Sequence, residues 1–181
     1  RNEEGAAPLK PYIDEVLAIS DKDALVREIA AMHLASDSPF FATYVMADMI
    51  ESDNNILYLS QAGLGMGDRD YYVKGCDPKL KAGYLEFLTK DLKLAGIDYA
   101  DVRAADAMKI EEALAENSWT SVEFRDMERQ YNPTTFAELV ATYPNLSLGS
   151  YFEALGVKCD GKIVVTQPSF FKALDEMFAS E

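Results

Sequence analysis

Leu9, Ile13, Val16 and Leu17 recur at the spacing of one helical face, and Leu25, Ile29, Met32 and Ala35 repeat the pattern further along. Ser20 with Asp23 fits a capping box between the two runs, so two helices are predicted before Ser36. From Phe41 the period shortens to two. Phe41, Thr43, Val45 and Ala47 alternate with Ala42, Tyr44, Met46 and Asp48, and Ile56, Tyr58 and Ser60 alternate with Leu57 and Leu59. The polar joint Glu51-Ser52-Asp53-Asn54-Asn55 reads as the tip of a hairpin, because Asn and Asp tolerate left-handed backbone angles.

Gly63, Gly65 and Gly67 then punctuate a loop, followed by the charged and aromatic block Asp68-Arg69-Asp70-Tyr71-Tyr72. Asp77-Pro78 predicts a capped helix carrying Leu80, Tyr84, Phe87 and Leu88, with Gly96 as its stop. Asp98 is expected to cap another helix bearing Val102, Ala105, Met108 and Leu114. Thr135 with Glu138 forms a second capping box, and that helix must end near Pro144. A short helix from Ser147 to Leu155 is stopped by Gly156, residues 162–166 form a brief strand, and Pro168 opens a helix with Phe171, Leu174 and Phe178. The expected fold is mainly α: a multi-helix lobe with a small β-hairpin around residues 41–62 and a short strand near 162–166. With no repeat, low-complexity tract or linker, residues 1–181 read as a single unit.

Composition narrows the partners. Of 181 residues, 49% are hydrophobic and 27% charged, which excludes disordered and fibrous classes. A formal charge of -14, with the cations spread singly, argues against nucleic acid and against contact with an acidic membrane surface. The longest apolar run, around residues 40–47, is far shorter than the ~20 residues of a membrane span, and the opening residues show no secretion signal. Cys76 and Cys159 fit neither a metal knuckle nor a disulfide framework, and whether they are free or bonded stays open.

The chemistry of the chain is sparse. His33 is the only histidine, flanked by Met32 and Leu34, and cannot by itself build a zinc site, which takes three protein ligands. No Gly-x-Ser-x-Gly elbow accompanies it. The glycines of residues 63–67 match neither a Walker nor a dinucleotide loop, so they read as turn formers. Adjacent carboxylates such as Glu111 and Glu112 read as a solvated face. Asp68, Arg69 and Asp70 read as an ion-pair and capping network with Tyr71 and Tyr72 packed beneath it. Zinc binding and catalysis by this segment are therefore not expected.

One run is specific. Residues 61–72, Gln-Ala-Gly-Leu-Gly-Met-Gly-Asp-Arg-Asp-Tyr-Tyr, resemble the Gln-x-Gly-Leu-Gly-Leu-Pro-Asp/Ser-Arg-Asp-Tyr-Tyr signature of the neprilysin, endothelin-converting enzyme and PepO family of zinc metallopeptidases. Pro39-Phe40-Phe41 and Asp48 before it are similar too, as are Tyr131-Asn132, Pro144-Asn145, Tyr151-Phe152 and Val164-Val165-Thr166-Gln167-Pro168 after it. Met66 and Gly67 depart from the usual Leu and Pro, and Gly accepts the turn that Pro would fix. The matching positions are Gln61, Gly63, Leu64, Gly65, Asp68, Arg69, Asp70, Tyr71, Tyr72, Tyr131 and Asn132, all read as structural.

The resemblance implies an interior part of the amino-terminal helical lobe of a two-lobed endopeptidase, a lobe that encloses the active-site chamber and admits peptides only. The family's His-Glu-x-x-His helix, the Glu that completes its zinc site and its Asn-Ala-x-Tyr strand have no counterpart here. By resemblance, zinc is held in the intact parent by a carboxyl-terminal catalytic lobe, which is the expected partner alongside peptide substrates, and the setting is extracytoplasmic. The alternatives are a free-standing, non-catalytic helical binding module and, last, a hydrolase built on His33.

Overall fold

The structure is a computed structural model that describes residues 5–179. It divides into two compact units: residues up to Ile19 with Gly65–Glu116, and Ser20–Leu64 with Asn117–Glu181. No linker marks the joints, because the chain passes between the units at single residues inside the signature and at a helix end.

The first unit carries α1 (Lys10–Leu17), α3 (Pro78–Leu94) and α4 (Ala100–Asn117), with 3-10 turns at Ala7–Leu9 and Arg69–Tyr71. Asp77 caps α3 by accepting from Lys79 N, and Gly96 takes the left-handed conformation that ends it (φ 75°). The cap predicted at Asp98 is replaced by an entry one residue later, where Tyr99 itself is left-handed (φ 56°). Ala100, Ala104, Met108, Leu114 and Ala115 are the buried face of α4, whereas the expected Val102 lies exposed. Met108 and Leu114 are buried as expected.

The second unit holds α2 (Lys22–Leu34), β1 (Phe41–Ala47), β2 (Asn55–Gln61), α5 (Met127–Gln130), β3 (Pro133–Thr134), α6 (Phe136–Thr142), α7 (Leu148–Leu155), β4 (Ile163–Val165) and α8 (Pro168–Ala179). Asp21, not the Ser20 and Asp23 box, caps α2 by accepting from Ala24 N at 2.8 Å. The capping box of Thr135 and Glu138 is present at α6. The sheet runs β1-β2-β4-β3, with β1 and β2 antiparallel from Phe41 opposite Gln61 to Ala47 opposite Asn55. β4 lies parallel to β2 and antiparallel to β3. Its three residues are all buried, as befits an inner strand without a wet face. The hairpin tip closes with Asn54 N donating to Glu51 C=O at 2.9 Å, and none of its residues is left-handed, contrary to expectation.

Aromatic rings fill this core. Phe41, Tyr151, Phe152, Phe170 and Phe171 are buried and meet edge to face, the geometry that the ring quadrupoles favour. Buried Asp175 of α8 accepts from Asn145 N, Asn145 Nδ2 and Leu146 N, satisfying the turn after Pro144. α2 and α7 pack closely, joined at their rim by Arg27 and Glu153 at 3.1 Å.

Candidate functional site

The signature divides between the two units, Gln61 to Leu64 in the second and Gly65 to Tyr72 in the first. In the first unit its residues fold around a carboxylate outside it, Glu111 of α4. Tyr72, 2% exposed, donates its hydroxyl to Glu111 Oε2 in a very short hydrogen bond and accepts from Met66 N at 2.7 Å. Gly65 N donates to the same carboxylate oxygen at 3.0 Å, and Tyr84 of α3 donates to Oε1 at 3.0 Å. Burial is the main cause raising both phenols, with the Glu111 carboxylate adding to it: Tyr84 is pushed up to about 12 and Tyr72 further above its ordinary range. Both rings therefore stay protonated donors at neutral pH.

Gly65 is required by close approach rather than by backbone angle. A Cβ there would meet the Tyr84 hydroxyl at 2.0 Å. Gly63 and Gly67, by contrast, are left-handed (φ 88° and 86°). Asp68 caps the short turn by accepting from Asp70 N, and Arg69 bonds to Asp70 and to the Ala115 carbonyl. This is the network that the sequence predicts, with one correction: Tyr71 is 46% exposed and packs beneath nothing, since only alternate members of the Tyr71-Tyr72 pair can face inward from a single turn. Glu111, read from sequence as a solvated residue, is the residue that sequence reasoning misses. Tyr72 and Tyr84 converging from separate elements is a signal that spacing along the chain cannot give.

In the second unit Gln61 clamps a loop through both ends of its amide, donating to Trp119 C=O at 3.1 Å and accepting from Trp119 N at 2.7 Å. Its own N–H donates to Oε1 of buried Gln167, which also accepts from Thr166. Leu64 is half-buried, and Asn132 donates to Arg129 C=O while its carbonyl accepts from Val165 N. Tyr131 belongs to a second missed cluster. Its hydroxyl donates to Asp48 Oδ1 at 2.8 Å, and Lys162 Nζ reaches Asp48 Oδ2 at 2.5 Å, Tyr131 Oη at 3.2 Å and Glu51 at 3.3 Å. Asp48 is 1% exposed. The Lys162 ammonium holds its carboxyl far below the usual range, aided by Ile50 N and Tyr131, and Asp48 in turn raises Lys162. The cluster ties the end of β1 to the start of β4 and to the segment before β3.

Both Glu111 oxygens and both Asp48 oxygens accept hydrogen bonds from donors within their own clusters. Among the described residues no group of three or more His, Cys, Asp or Glu side chains could hold a metal ion. The Nδ1 of His33 lies within hydrogen-bond distance of the Tyr151 hydroxyl. Cys76 and Cys159 are both free and half-buried, and burial raises the Cys159 thiol. No helix among the described residues is long and apolar enough to cross a membrane.

The chain spans about a fifth of the length of the curated relatives it matches. It is 31% identical to endothelin-converting enzyme 1 of Homo sapiens over 148 residues, covering 77% of this chain and 19% of that protein. It is 31% identical to neprilysin-2 of Drosophila melanogaster over 139 residues, covering 73% and 18%. In fold it matches the zinc metalloprotease Zmp1 of Mycobacterium tuberculosis in its open state, with a TM-score of 0.90 at 24% identity over 99% of this chain and 28% of that one. PepO of Lactobacillus rhamnosis matches with a TM-score of 0.79 at 16% identity, covering 97% and 28%. The family model for the amino-terminal region of peptidase family M13 matches residues 1–181. The signature folded around Glu111, the fold and this full-length match together place the chain in peptidase family M13.

Proposed function

We propose that this chain is part of a zinc-dependent metalloendopeptidase in which it supplies enclosure and size selection rather than bond breaking. The observation that carries the reading is the family match along the whole of residues 1–181, on a chain whose charged clusters are paired internally. The relatives named as converting enzyme, neprilysin and zinc metalloprotease support peptides as the substrate class. Zinc and the groups that activate water belong, on this reading, to a carboxyl-terminal catalytic lobe outside residues 1–181. The part played by this chain is steric: rigid elements fixed by Glu111 and Asp48 hold walls that a short peptide passes and a folded protein does not. An extracytoplasmic setting accompanies the proposal.

The test uses the full-length gene product and a ladder of peptides of increasing length, alongside a folded protein containing the same cleavable sequence. Cleavage that fades with length and fails on the folded protein is expected. Equal cleavage of folded and unfolded forms contradicts an enclosing role, and a gene product that lacks peptidase activity altogether favours the binding module.

A further inference from the structure

We propose that the outer edge of β1 binds peptides in an extended conformation, the guest adding to the sheet as a further strand beside β1. The sheet order leaves β1 at one end, paired with β2 alone. Which of its backbone groups face outward follows from β2. Leu59 C=O accepts from Thr166 N at 2.9 Å on the β4 side, so Tyr58 and Ser60 are the residues of β2 that turn toward β1 and bond with Tyr44 and Ala42. Thr43 and Val45, one step along, direct both N–H and C=O away from the ladder, and Ala47 does the same with its N–H. The open row is bounded at each end, because Phe41 N donates to Pro39 C=O at 2.8 Å and Ala47 C=O takes the Tyr58 hydroxyl at 3.1 Å. Between those limits, the outward groups of Thr43, Val45 and Ala47 have no hydrogen-bond partner among the described residues.

A row of donors and acceptors at strand spacing recognises one chemistry, an extended backbone, and does so with little regard to sequence. The usual protections of a free edge are missing. Residues 41–47, Phe-Ala-Thr-Tyr-Val-Met-Ala, hold no proline and no charge, and their pairing with β2 runs from end to end without a bulge. Side chains on both faces of the edge are open: Val45 is 66% exposed, Met46 44% and Tyr44 39%, with Tyr44 stacked on the buried ring of Tyr58. A guest strand that is apolar at its centre covers Val45 with one set of alternate side chains and Tyr44 and Met46 with the other. Charge decides between occupants. A second copy pairing here brings a charge of -14 against -14, whereas a peptide with basic ends meets the exposed Glu51 and Asp53 of the adjoining hairpin tip with the opposite sign. The identity of the guest rests on the peptidase reading; the open edge does not.

The probe is the fluorescently labelled, end-blocked peptide Lys-Thr-Val-Tyr-Val-Thr-Lys, titrated with the folded 181-residue chain. Anisotropy should rise to saturation, and the amides of Thr43 and Val45 should gain protection from hydrogen exchange as it does. Val45→Pro removes an outward N–H at a place where an edge strand tolerates proline, so circular dichroism should show the fold retained while affinity falls by about tenfold or more. The same peptide N-methylated at every interior residue keeps its side chains but cannot pair, and it should lose binding to the unmodified chain, a result that does not depend on how well the variant folds. Absence of saturable binding overturns the proposal, as does binding that survives N-methylation or that a folded Val45→Pro retains. A concentration-dependent dimer that Val45→Pro abolishes also overturns it, by giving the edge to a second copy. Peptide binding by this chain alongside a full-length product that cleaves no peptide would contradict the peptidase reading and leave the edge site standing.

Discussion

Tyr72 is the residue on which the first unit most visibly turns, since its ring is buried and its hydroxyl both receives Met66 N and serves Glu111. Truncation to Ala should destabilise the chain by roughly 2 to 4 kcal/mol, the range for losing a buried aromatic with partial collapse of the site. Tyr72→Phe keeps the ring and should cost only about 1 to 3 kcal/mol, because one donor to Glu111 is lost and Met66 N is left unpaired. Urea denaturation of the two variants checks the order, and equal costs would mean that the ring carries no weight of its own. Gly65→Ala should also destabilise, by about 1 to 3 kcal/mol, since its methyl group would displace Tyr84 from the same carboxylate. Gly65→Ala as stable as the unmodified chain would contradict the close approach. At this scale the sequence was legible at several local signals: Asp77, Thr135 with Glu138, Gly96 and Gly156 act as their neighbours predict, whereas the Ser20 and Asp23 box and the Asp98 cap do not form. It was not legible at Glu111 or Lys162, whose partners lie on other elements and 31 or more residues away in most cases.

At the scale of elements, the ends of β1 and β4 are held by Asp48, Tyr131 and Lys162 rather than by strand pairing alone. Removing Lys162 while keeping Asp48 leaves a buried carboxylate with no cation, so Lys162→Met should lower the melting temperature more than Asp48→Asn does. Acid should act on the same place. Asp48 is depressed by Lys162, so its contribution is complete above the ordinary carboxyl value of 3.8 and is lost as pH falls below it toward the depressed value. Thermal melts of the unmodified chain should fall in that range with a slope that Asp48→Asn reduces, and an unchanged slope would remove Asp48 from the account. Period-two and period-3.6 patterns locate β1, β2 and most helices within a residue or two of their observed ends. The errors fall where geometry overrides pattern: Tyr99 turns left-handed in place of an Asp98 cap, and α4 buries alanines in place of Val102. The parallel pairing of β2 with β4 joins strands about a hundred residues apart, beyond the reach of any local signal.

On the whole-molecule scale, each unit leaves apolar side chains bare. In the first, Leu9, Tyr12, Val16 and Leu17 of the α1 region and Leu94 of α3 line an open groove of about 920 Å³. Patches of this kind favour association, and a charge of -14 opposes it over a distance that physiological salt cuts to about 8 Å. Light scattering across a salt series should therefore show a monomer at low salt moving toward a dimer as salt rises. A monomer at every salt and concentration would favour a module built to stand alone. The central claim, that this chain supports a zinc peptidase without holding its metal, is tested most directly by calorimetric titration of the folded 181-residue chain with zinc. The account predicts no stoichiometric binding, and a tight one-to-one isotherm that disappears in His33→Ala would contradict it.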